Sequence, residues 1–163
     1  MRVRICSSVL LRLTFSLKQR SKLTRHPQGA SIALVDSIKH VLIVVDGTTS
    51  ILKAATAMQK SLGDIRSIVR NASEFTPVDI LPADAYFFGC ESDRPVSFAE
   101  LERVLKGINL AGRPCGLFSL ASNEAIEYLR SIVRDADLRL QPKPFLISGK
   151  ADIGIWAAET LRL

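Results

Sequence analysis

Metal chemistry has little to work with in this sequence. Its 163 residues hold three cysteines and two histidines. Cys6, Cys90 and Cys115 are scattered, and neither His26 nor His40 stands at ligand spacing from any of them. That excludes a disulfide framework and a zinc-type site, and it makes a reduced, cytoplasmic setting the default. No apolar run approaches the ~20 residues of a membrane-spanning helix. A glycine-rich pyrophosphate fingerprint, a Walker loop and a nucleophile elbow are all missing. The acid pairs Glu100/Glu102 and Asp135/Asp137 fall on helix surfaces or ends, where solvation accounts for them. No catalytic and no metal-ligating residue is therefore assigned. Hydrophobic content of 47% and aromatic content of 6% are ordinary for a globular protein, and the length suits one compact domain.

Acidic residues are absent from the first 35 positions. Residues 1–36 carry seven Lys/Arg and only Asp36, so this stretch holds the whole net charge of +6. The remainder balances at fifteen residues of each sign. A neutral remainder has no charge excess to attract nucleic acid. The Arg- and Ser-rich stretch 1–37 reads as a basic arm outside the fold, and residues 38–163 as the domain. Three readings stay open for the arm: a stretch upstream of the native start, a targeting or anchoring segment, or a nucleic-acid contact.

From residue 38 the chain alternates between two periods. "HVLIVV" (40–45), "DAYFFGC" (84–90) and "PCGLFSL" (114–120) are nearly all apolar and predict buried parallel strands. "IRSIVR" (65–70) and "LRLQPKPFLI" (138–147) alternate or carry prolines, and so predict sheet edges. Helices are expected over 50–63, with Ile51, Ala54, Ala55, Met58 and Leu62 on one face and Gly63 as the stop. Others are expected over 97–108, capped by Ser97 with Glu100 in a capping box, over 123–136, capped by Asn123, and over 151–163. Five strands alternating with helices predict a three-layer α/β fold. Its five-stranded parallel sheet has order 2-1-3-4-5, with helices on both faces. Ligands in such folds sit beyond the carboxyl ends of the central strands. The loops at 46–51, 89–96 and 119–123 are therefore the candidate site.

Three stretches give this layout a likeness. "VLIVVDGTTS" resembles the first strand and FMN phosphate loop of the flavodoxin family. "ADAYFFGC" resembles that family's third strand, which ends in glycine before a flavin-contacting loop. "INLAGRPCGLFSLAS" resembles its L-x-G-K-x-x-x-F-G stretch, with Leu110, Gly112, Arg113 and Phe118 in step. The likeness spans roughly residues 39–163. It implies FMN as cofactor and an electron-transfer or quinone-reducing role with an unidentified redox partner protein. It implies phosphate contacts from Asp46, Gly47, Thr48, Thr49, Ser50 and Ile51. Ring contacts would come from Gly89, Cys90, Glu91 and Ser92 on one side and from Ser119, Leu120, Ala121, Ser122 and Asn123 on the other.

The loop departs from the family's S/T-x-T-G-x-T pattern. Asp46 puts a carboxylate where a hydroxyl donor belongs, Thr49 replaces a glycine, and Ile51 lacks a hydroxyl. Donors at a helix N-terminus hold a dianion, whereas a carboxylate repels one. Thr48, Thr49 or Ser50 also reads as a plain N-cap. The alternative function is a flavodoxin-like scaffold without flavin, acting through protein contacts. A degenerate receiver domain is a further alternative, since "IVVDG" and "PKPF" resemble receiver motifs while the phosphoacceptor aspartate is missing. Tyr86, Phe87, Phe88, Tyr128 and Trp156 are expected to pack.

Overall fold

The computed structural model describes residues 38–120, 122–147 and 151–163. The basic arm of residues 1–37 and the candidate Ala121 lie outside the described residues. The elements run β1 (His40–Val45), α1 (Thr49–Ser61), β2 (Arg66–Asn71), α2 (Pro77–Ile80), β3 (Ala85–Gly89), α3 (Ala99–Leu105), β4 (Pro114–Ser119), α4 (Asn123–Val133), β5 (Arg139–Leu140), β6 (Phe145–Leu146) and α5 (Ile153–Thr160). All strand pairings are parallel, in the order β2-β1-β3-β4-β5, with β6 also paired to β4. The expected order 2-1-3-4-5 is what forms, and the least apolar segments stand at the edges.

The period of two in each strand sorts the core into two layers. Leu42 and Val44 of β1, Tyr86 and Phe88 of β3, and Cys115 and Leu117 of β4 face α2, α3 and α4. Val41, Ile43 and Val45, Ala85 and Phe87, and Phe118 face α1 and α5. The three central strands are buried along almost their whole length.

Several local expectations give way to tertiary contacts. Residues 138–147 form two short strands rather than one, because Pro142 and Pro144 interrupt the ladder between them. β5 pairs with the start of β4 and β6 with its end. Ser97 does not cap a helix. It sits in a 3-10 turn, Val96–Phe98, and its hydroxyl donates to the Asp46 carbonyl at 3.5 Å. Glu100 pairs instead with Arg103. Helix α4 is capped by Ser122 rather than Asn123, the Ser122 hydroxyl accepting from Ala125 N at 3.2 Å. One short helix, α2, was not expected. The Asp79 carboxylate accepts from Thr76 N and Oγ1 at its start.

Candidate functional site

The parallel order brings the ends of β1, β3 and β4 to one edge of the molecule. Backbone bonds lock them there: Asp46 N donates to Gly89 O at 3.2 Å and Cys90 N to Phe118 O at 3.3 Å. The three candidate loops are therefore neighbours, as the sheet order requires.

The first loop turns on Gly47, whose φ of +88° favours glycine. A Cβ there would also stand 2.5 Å from the Asn71 amide nitrogen. Thr48 then takes the N-cap position of α1 with extended geometry, yet its side chain makes no capping bond to the helix. It turns back instead. Thr48 N and Oγ1 both donate to Asp46 Oδ1, at 3.0 and 2.9 Å. Asp46 Oδ2 accepts from Glu91 N at 2.7 Å. One carboxylate thus collects three donors from two loops that lie 45 residues apart. Such charge-assisted bonds to an anion are the strong kind.

The other candidates divide by exposure. Gly47, Thr49, Ser50, Glu91, Ser92 and Asn123 are exposed, and Asp46, Thr48, Leu120 and Ser122 are half-buried. Ile51, Cys90 and Ser119 are fully buried, and Gly89 lies inside the buried end of β3. Ile51 is a core residue under α1. Burial, with Asp46 and Asp93 nearby, pushes the Cys90 thiol up to about 12, so it is not a nucleophile at neutral pH. Burial raises the Cys115 thiol as well. Ser119 Oγ is buried without a hydrogen-bond partner among the described residues, an unsatisfied group at the end of β4.

Beside the second loop lies an open groove of about 530 Å³, lined by Asp93, Arg94, Asn123, Glu124, Glu127 and Tyr128. Tyr128 packs as expected, stacked on Phe98 at 6.4 Å and 16°. Its other side borders the groove. Burial and the Glu102 carboxylate push its hydroxyl up to about 12, which keeps it neutral. Arg94 falls inside the candidate loop 89–96, whereas Tyr128 is a groove residue that sequence reasoning assigned only to packing. The helical spacing of Glu124, Tyr128 and Ser131 would have placed them on one α4 face. A second groove, about 540 Å³, runs down the outside of α1 past Gly47, Thr49, Lys53 and Lys60. It does not join the other two loops.

Among the described residues, no group of His, Cys, Asp and Glu could hold a metal ion, and no helix is long and apolar enough to cross a membrane.

Comparison with known proteins follows the topology. A short-chain flavodoxin associated with a non-canonical PDU bacterial microcompartment superposes with a TM-score of 0.60 at 17% identity, covering 75% of this chain and 94% of its own. The fold is that of the flavodoxins. Flavodoxin 2 from Bacillus cereus gives 0.62 at 14% identity, over 76% and 96% of the two chains. A flavodoxin from Streptococcus pneumonia TIGR4 gives 0.61 at 15% identity, over 74% and 96%. No family model and no curated protein matches the sequence.

The flavodoxin fold implies FMN, and the residues present meet it unevenly. At the ring end, Gly89 is bare of a side chain because the buried Phe118 ring fills its Cβ position, and Ser119 Oγ is buried without a hydrogen-bond partner among the described residues. In the phosphate loop, the Thr48 donors are already turned onto the Asp46 carboxylate. As built, this loop does not fit a phosphate dianion.

Proposed function

We propose that the chain is a flavin-binding redox module of the flavodoxin type. The observation that supports this best is the convergence of loops 46–51, 89–92 and 119–123 at the carboxyl end of one doubly wound sheet. In this reading Glu91, Ser92, Leu120, Ser122 and Asn123 border the ring, and Asp46 to Ser50 border its side chain. Gly89, Cys90, Ile51 and Ser119 shape the floor from within. The bound flavin would supply the electron chemistry, and the chain supplies position and field. An unidentified partner protein would exchange the electrons, and the free, buried thiols of Cys90 and Cys115 suit a reducing cytoplasm.

The Asp46 geometry supports a second reading, a scaffold that holds no flavin because its first loop is closed on itself. One titration separates the two. Folded full-length protein is titrated into riboflavin and into FMN, and flavin fluorescence is followed. Quenching that saturates for either flavin supports the module. Unquenched fluorescence with both at high micromolar concentration would leave the scaffold.

A further inference from the structure

We infer that Asp46 is a built-in occupant of the phosphate position, so that the site selects a flavin lacking phosphate, riboflavin over FMN. This rests on the flavin reading above and names the ligand class that the same site takes. Thr48 N, Thr48 Oγ1 and Glu91 N converge on the carboxylate at 3.0, 2.9 and 2.7 Å. A carboxylate offers about four acceptor positions, and these bonds fill three of them. What remains at the mouth of the loop is an acceptor. A ribityl hydroxyl is a donor and complements it. A phosphate monoester is a cluster of acceptors carrying about −1.5 to −2 charge at neutral pH. To hold that phosphate, the Thr48 donors would have to leave Asp46 with only the Glu91 N–H, beside a second anion.

The surroundings repeat the preference. Within residues 46–51, 89–96 and 119–124 the charged groups are the carboxylates of Asp46, Glu91, Asp93 and Glu124 and the single guanidinium of Arg94. Lys53 is exposed and lines the groove on the outside of α1. The bond to Glu91 N also ties the first loop to the second. Displacing the carboxylate would therefore loosen the site rather than only open the phosphate position.

The test compares riboflavin and FMN on full-length wild type, Asp46→Ser and Asp46→Asn. Fluorescence quenching gives the affinities, and circular dichroism checks folding. Wild type should bind riboflavin about tenfold or more tighter than FMN, a difference of ~1.4 kcal/mol. In Asp46→Ser, which restores a hydroxyl, FMN affinity should rise about tenfold to a hundredfold and the order should reverse. Asp46→Asn removes the charge at nearly constant size and should narrow the gap even if the serine variant folds poorly. FMN binding wild type as tightly as riboflavin would overturn the selectivity while leaving the flavin reading intact. An FMN-to-riboflavin ratio that does not change in the folded variants would do the same. Failure of both flavins to bind any folded form would overturn the flavin reading, and the selectivity with it.

Discussion

Trp156→Ala should cost about 3–5 kcal/mol of folding stability, the scale of deleting a large buried aromatic. The indole of α5 sits between Phe87 and Phe145, with ring centroids 5.5 and 5.4 Å away. Its Nε1 donates to Lys143 O at 2.8 Å. It also lies over Gly116, where a Cβ would come within 2.6 Å of the ring. One side chain thus fixes the C-terminal helix to the sheet and pins the segment between β5 and β6. For a domain of this size the loss corresponds to a fall of roughly 10–20 °C in Tm. Trp156→Phe keeps most of the apolar volume and loses the N–H, so its cost should be smaller. Thermal melts of the three proteins check this. A Tm for Trp156→Ala within a few degrees of wild type would show that α5 adds little to the fold.

Gly89→Ala should destabilise by about 1–3 kcal/mol or more, because the core there has no room. A Cβ at Gly89 would stand 2.3 Å from two atoms of the Phe118 ring. That ring is fully buried against Phe87 and the α1 face. The end of β3 would have to move. Gly89 O accepts from Asp46 N, and Glu91 N donates to Asp46 Oδ2, so the movement would reach the candidate loop cluster. Shrinking the ring should relieve the clash. In a Phe118→Leu background the alanine penalty should drop, with a coupling of about 0.5–3 kcal/mol between the two positions. Urea melts of wild type, both single variants and the double variant give that number. Additive effects would contradict the contact.

The central architecture was legible because burial leaves a strong mark on composition. Residues 40–45, 84–90 and 114–120 are almost free of polar side chains, and only a strand covered on both faces allows that. The edges were legible from Arg66, Arg139 and the two prolines, and the loop cluster followed from strand order. Capping was not legible in the same way. Ser97 and Glu100 match a capping box locally, but Ser97 Oγ is drawn to the Asp46 carbonyl 51 residues away. Asn123 and Ser122 are both good caps, and the chain geometry chose the earlier one. The role of Asp46 was half legible. Its charge stood out against the family pattern, but its partner across the loops is the backbone N–H of Glu91, and a backbone donor carries no sequence signal.

The most direct test of a single flavin site at the sheet's carboxyl end is an amide shift map. Isotope-labelled full-length protein is titrated with riboflavin, and backbone amide resonances are followed residue by residue. Shifts should concentrate at Gly47–Ser50, Cys90–Ser92 and Leu120–Asn123, with Thr48 and Glu91 among the largest. His40, Arg66 and Ala83, at the opposite end of the strands, should stay still. Saturating shifts confined to that opposite end, or to the outer face of α1, would contradict the account.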